Sequence, residues 1–210
     1  MSLKKHIVDT MKRLYTNKFI SIRDGNVSFK PKNEKYFYIS AGQVKKNEIN
    51  EDQIIKIDFK KKDIIRNKLD LFDLNYDNYN KYKPSREINM HSFLLTDPSN
   101  YDKDTFVVHA HPPNITAFMG IHNTSNELNT IKDYFPEINV GNIGRNVRYL
   151  EAGSLNLAAQ SFINLKNNSI IGLERHGSLS IGNDIDKIFE DIETLEYYID
   201  IYFKNNSNNY

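Results

Sequence analysis

Residues 105–118 read TFVVHAHPPNITAF, an apolar run that ends in two histidines one residue apart and then two prolines. Its aromatic and β-branched residues predict a strand over 105–111. In a strand, residues i and i+2 point to the same face, so His109 and His111 present two imidazoles to one point while Ala110 faces the other way. Two readings are open here. The pair is either two ordinary histidines at the end of an exposed strand, or part of a metal site. Catalytic zinc takes three protein ligands and keeps a fourth position for water or substrate, so a third ligand must come from elsewhere. Pro112 and Pro113 stop the strand where such ligands would face an open cleft.

The chain has no cysteine, which removes thiolate nucleophiles, disulfides and Cys-based zinc sites together. Any metal must therefore use His, Asp or Glu. Lys and Arg total 28 against 27 for Asp and Glu, so no global field draws in nucleic acid or an anionic membrane. The N-terminal MSLKKHIVDTMKRLY lacks the apolar core of a signal peptide, and no later apolar run approaches the roughly 18 residues of a membrane span. The expectation is a cytoplasmic protein with neither nucleic-acid nor membrane partners.

At 210 residues the chain can bury one substantial core, so one domain over 1–210 is expected, with a short polar tail from about residue 204. Leu3, Ile7, Val8, Met11, Leu14 and Tyr15 recur at helical spacing. Strand-like pieces follow at 27–30, 36–40 and 54–59, separated by turn signals. Residues 60–83 are charged and Asn-rich and read as an excursion. A helix is predicted over 86–95 with Ser85 as its N-cap, then the 105–111 strand and helical patterns over 115–119 and 126–134. Ser154 starts another helix, 169–173 and 178–181 form a strand pair around His176-Gly177, and 184–203 closes the chain as a long helix. Alternating helices and strands indicate a layered α/β domain.

Of the remaining histidines, His6 lies on the first helix and His122 in a polar loop, with no local reason to prefer either. His176 precedes Gly177 between two apolar strands, where a tight turn can push an imidazole toward a shared site, or simply hold a turn histidine. Glu87 and His91 are four residues apart on the predicted helix and share a face, an arrangement that a surface pair also produces. The preceding Pro84-Ser85-Arg86 places a hydroxyl and a guanidinium at a helix start, which suits an anion. The turns at 24–28 and 40–42 add backbone N–H groups to such a cradle.

Taken in order, DGNVS (24–28), YISAG (38–42), PSREINMH (84–91), VVHAHPPNITAF (107–118) and LERHGSLSIG (173–182) resemble the class II aldolase/adducin family. The resemblance implies a three-layer α/β/α sandwich with a mostly antiparallel central sheet, and usually a homotetramer. It places the family's zinc ligands on His109, His111 and His176 and its acid/base carboxylate on Glu87. Its phosphate-binding positions fall on Gly25, Asn26, Ser40, Gly42, Ser85 and Arg86. Arg86 departs from the usual second serine, and Ser40-Ala41-Gly42 carries fewer hydroxyls than the common Thr-Pro-Thr-Gly. Lys132-Asp133-Tyr134-Phe135 resembles the Asp-Tyr-Phe of the ribulose phosphate 4-epimerase branch, which makes Asp133 and Tyr134 further candidates for the active site. The 4-epimerases tend to carry Asp where this chain has Glu87.

The resemblance thus implies a zinc-dependent lyase, with another divalent ion as an alternative, that cleaves a carbon–carbon bond in a phosphorylated ketose through an enediolate. A sugar-phosphate 4-epimerase, dehydratase or sugar-acid phosphate decarboxylase would use the same site. A non-catalytic adducin-like binding protein is the contrasting alternative.

Overall fold

In the computed structural model, residues 2–61, 72–75, 81–120 and 126–206 are described; His122 lies outside them. Ser2 caps α1 (Leu3–Thr16) by accepting the Lys5 N–H at 3.1 Å, and the helix buries Ile7, Val8, Met11 and Leu14. Three antiparallel strands follow: β1 (Asn26–Lys30), β2 (Tyr36–Ser40) and β3 (Ile54–Lys61). A fourth, β4 (Phe72–Asn75), pairs with β3 inside the segment expected to be an excursion. Phe72-Asp73-Leu74-Asn75 does alternate apolar and polar residues, but over only four positions in a charged segment; pairing with the end of β3 is what makes them a strand.

The helix expected over 86–95 begins two residues later, as α2 (Ile88–Leu95). Glu87 occupies the N-cap position without a capping side chain, and Ser85 instead accepts the Glu87 N–H at 3.3 Å in a local turn. The central strand β5 (Thr105–Ala110) is buried along its whole length and ends one residue before His111. Pro113 then takes the first position of α3 (Pro113–Phe118), where its missing N–H costs nothing. The free N–H groups of Asn114 and Ile115 are received by the carboxylate of Glu196 at 2.8 and 2.9 Å.

The pattern at 126–134 resolves into a 3-10 turn at Leu128–Thr130 and the short α4 (Ile131–Tyr134). Ser154 caps α5 (Leu155–Leu165), accepting the Leu157 N–H at 3.1 Å. The pair β6 (Ile170–Leu173) and β7 (Gly177–Gly182) precedes α6 (Ile185–Asn206). This last helix runs past the expected start of the tail, supported by Lys204 on Asp200 at 2.6 Å and Asn206 on the Tyr202 carbonyl at 2.7 Å. The rest of that tail lies outside the described residues.

The sheet order is β4-β3-β2-β1-β5-β7-β6, and every ladder in it is antiparallel. The period-2 alternation of β5 decides what each layer receives. Phe106 meets His6 of α1, whereas His109 faces Glu87 at the start of α2. Helices α1, α3 and α6 therefore cover one face and α2 and α5 the other. The result is the expected three-layer sandwich, with the two histidines at the C-terminal end of its central strand.

Candidate metal centre

β5 and β7 are hydrogen-bonded neighbours, with Ala110 opposite Ser178, so His176 at the entry to β7 arrives beside the end of β5. The left-handed residue of the preceding turn is Arg175, with φ of 59°. Gly177 serves a different purpose from the one its turn position implied. A Cβ there would lie 2.2 Å from the Ala110 carbonyl oxygen and 2.9 Å from the His111 ring, so only glycine lets the two strand ends meet. Gly177→Ala is therefore expected to force β7 from β5, costing about 1–3 kcal/mol and weakening metal retention. Denaturant melting and metal content after dialysis measure the two effects.

His109, His111 and His176 each offer a ring nitrogen, and these atoms all lie within 4.8 Å of one another. His109 is fully buried; its Nδ1 lies 2.9 Å from the Ser178 carbonyl, which can only accept, so Nδ1 carries the proton. Its Nε2 faces the cluster, 2.8 Å from His111 Nε2 and 3.0 Å from Glu87 Oε2. This is the arrangement by which an outer carbonyl fixes the tautomer of a metal-binding imidazole. Burial pushes His111 down to about 3 and His176 down to about 4, helped in each case by the charge on His109. Both stay neutral, with lone pairs available, across the physiological range. Burial acts to lower His109 as well, but Glu87 and the Ser178 carbonyl outweigh it and raise it.

Glu87 is buried, and its Oε1 lies 3.2 Å from His176 Nε2 without forming a hydrogen bond. Burial tends to raise its pKa, yet His109, His176 and the Asn26 amide together hold it below the usual carboxylate range. A buried carboxylate with an unsatisfied oxygen, set against three convergent imidazoles, is a donor set suited to a divalent ion of borderline softness such as Zn²⁺.

The turns singled out as an anion cradle come together around this cluster. Gly25 adopts φ of +67° and packs against the His109 carbonyl. Gly42 donates its N–H to Lys83 O at 3.1 Å and lies against Pro84 and Ser85, so the 40–42 turn abuts the start of α2. Ser85 is buried and Arg86 exposed. Asn26 is buried with its Nδ2 on Glu87 Oε2 at 3.1 Å, and Ser40 accepts the Val27 N–H at 3.2 Å, so both side chains already have partners. Asp133 and Tyr134 are not brought to the histidines within this chain. Both are exposed on α4, where the Tyr134 ring packs on Tyr202 at 4.7 Å.

Two buried groups were not legible as parts of this region. His91, whose shared face with Glu87 was noted, turns inward to Ser28 and Asn26, and burial pushes it down to about 3. Lys46 donates its N–H to the Ile22 carbonyl and its Nζ to the Ala41 carbonyl, each at 2.8 Å, tying together the segments that lead into the two turns. Burial lowers Lys46 from 10.5 to about 8, against the opposing pull of Asp24. Between those values the unfolded chain binds the proton that the folded chain has released, so stability rises with pH; below pH 8 the cost of the buried charge is fully present. Relative to Lys46→Met, the native protein should gain up to about 3 kcal/mol from pH 8 to 10.5 in denaturant titrations.

Across residues 5–203 the chain matches the family described as Class II Aldolase and Adducin N-terminal domain. The chain belongs to the class II aldolase and adducin family. Within that family it is 27% identical over 194 residues to an L-fuculose phosphate aldolase of Methanocaldococcus jannaschii, covering 92% of this chain and 91% of that one. It is 31% identical over 186 residues to an L-fuculose phosphate aldolase of Methanococcus maripaludis, covering 87% and 86%. Among solved structures, an L-fuculose 1-phosphate aldolase matches with a TM-score of 0.72 at 18% identity, covering 98% of this chain and 86% of that one. A sugar-phosphate aldolase from Thermotoga maritima matches with a TM-score of 0.72 at 17% identity, covering 97% and 94%. The class II aldolase fold implied by the five motifs is the fold observed.

Proposed function

We propose that this aldolase-type lyase cleaves a carbon–carbon bond in a phosphorylated ketose, and forms it in reverse, with a divalent ion, zinc by preference, held by His109, His111 and His176. The observation that carries the reading is the convergence of those three imidazoles and Glu87 in one cluster, with His109 and Glu87 buried and His111 and His176 partly open to solvent. A divalent ion bound there supplies Lewis-acid polarisation of the ketose carbonyl and hydroxyl oxygens. Glu87, charged and buried beside it, moves the proton at the carbon next to that carbonyl.

For the substrate phosphate we assign Gly25, Asn26, Ser40, Gly42, Ser85 and Arg86. Two neighbouring turns, the start of α2 and an exposed guanidinium support this, since arginine grips an anion through two parallel hydrogen bonds. The curated relatives, named for L-fuculose phosphate, support a sugar phosphate as the substrate class. The products are then an aldehyde and dihydroxyacetone phosphate or a related fragment. A homotetramer in the cytoplasm completes the proposal, with Asp133 and Tyr134 exposed so as to serve a neighbouring copy's site. The epimerase reading draws on the Asp133-Tyr134-Phe135 sequence, but Glu87 in place of Asp favours the aldolase.

The test is metal analysis of the purified protein followed by a screen of ketose 1-phosphates, pentulose phosphates and 3-keto sugar-acid phosphates, monitoring aldehyde, epimer and carbon dioxide. Aldehyde release dependent on a divalent ion supports the proposal. A protein that carries no divalent ion and gains nothing from added metal would refute it.

A further inference from the structure

Behind Glu87 lies a row of buried polar side chains whose proton positions follow from chemistry alone. A carboxylate can only accept, so the Asn26 atom 3.1 Å from Glu87 Oε2 is its NH₂ nitrogen, Nδ2. The amide oxygen of Asn26 then faces His91 Nε2, with which it makes a hydrogen bond. That oxygen can only accept, so Nε2 carries the proton of a neutral His91. Nδ1 is left as an acceptor, and the Ser28 hydroxyl 2.6 Å away donates to it. Every bond runs in one direction, from Ser28 to His91 to Asn26 to Glu87. The row ends on Oε2, which also faces His109 at 3.0 Å, while Oε1 is buried with no hydrogen-bond partner. The two oxygens of one carboxylate are thus made unequal, and His91, fully buried, has both ring nitrogens committed.

We propose that His91 is a positioning residue: acting through Asn26, it anchors Oε2 of Glu87 and leaves Oε1 as the oxygen that exchanges the proton with substrate. This rests on the reading of Glu87 as the acid/base of the lyase reaction. In the cleavage direction the Glu87 carboxylate takes up the proton released by the substrate hydroxyl that becomes the aldehyde carbonyl; Oε1–H then gives it to the carbanionic carbon of the other fragment, and Glu87 returns to the carboxylate. In synthesis Oε1 takes a proton from that carbon. Without His91 the Asn26 amide can flip, presenting its oxygen to Glu87 and releasing Oε2.

Two measurements test the proposal. Long-range ¹H–¹⁵N spectra of the zinc-loaded protein, assigned by loss of the signal in His91→Gln, should show His91 as the neutral Nε2–H tautomer. This is readable whether or not the protein turns over any sugar. An Nδ1–H tautomer or an imidazolium would overturn the proposal while leaving the lyase reading intact; absent turnover with the expected tautomer would refute the lyase reading and, with it, the role given to Oε1. In kinetics, His91→Leu should lower kcat about 10–100-fold, the usual effect of losing an outer hydrogen-bonding partner, with KM and metal content little changed. His91→Gln can still donate to the Asn26 oxygen and should recover most of that loss. In an Asn26→Ala background His91→Leu should cost less than about twofold, because the intermediary is gone. Additive losses in the double variant, or no rescue by Gln, would overturn it; if His91→Leu fails to fold, the Gln variant and the spectra decide.

Discussion

Replacing Glu87 by Gln is expected to lower kcat by about 10²–10⁴-fold, the usual contribution of a positioned general acid or base, while the protein keeps its metal. The substitution preserves volume and hydrogen-bonding capacity in a buried site, so the Asn26 amide at 3.1 Å retains a partner and the row behind it stays packed. What is lost is the ability to take and return a proton. The three imidazoles remain convergent because their placement depends on β5, on the turn into β7 and on the Ser178 carbonyl, none of which requires the carboxylate. Turnover and metal content, measured on the same preparation, check both halves. Loss of metal from Glu87→Gln with activity fully restored by added ion would contradict the assignment.

His176→Ala should show the opposite pattern: the metal itself leaves and activity goes with it. Two ligands at the end of β5 remain, His109 within it and His111 just beyond, fewer than the three that zinc enzymes use. The loss should exceed the roughly tenfold to hundredfold cost of removing an outer hydrogen bond. His176 also lies 3.2 Å from Glu87 Oε1, so its removal deprives the buried carboxylate of a neighbouring ring. Competition with a chelator, followed by elemental analysis, gives the affinity directly. Stoichiometric metal retained after dialysis would remove His176 from the ligand set.

Much of the scaffold was legible because it is written in local patterns. The amphipathic periodicity of α1 and α6, the serine before α5, and the alternation of β5 all act over a few residues and need no distant partner. Misreadings arose where a distant or competing contact decides. Ser85 looked like a helix cap, but its hydroxyl closes a turn onto Glu87 and the helix starts later. β4 exists because β3 supplies a register for it. At the candidate site the histidine spacing was visible from sequence. The burial of His91 and Lys46 was not, because the hydroxyl, amide and carbonyl groups that satisfy them come from elsewhere in the chain.

The alternation of β5 also sets a rule of odd and even for its length. His109 faces α2 only because it lies three positions, an odd offset, from Phe106, which faces α1. Deleting one residue from this strand, with the pairing to β1 and β7 held, would turn the imidazoles into the apolar layer and bring an apolar neighbour to the metal side. A change of two would shift the site along the strand without inverting it. Insertions and deletions in this strand are therefore expected to be tolerated in pairs, with single ones confined to its flanking loops.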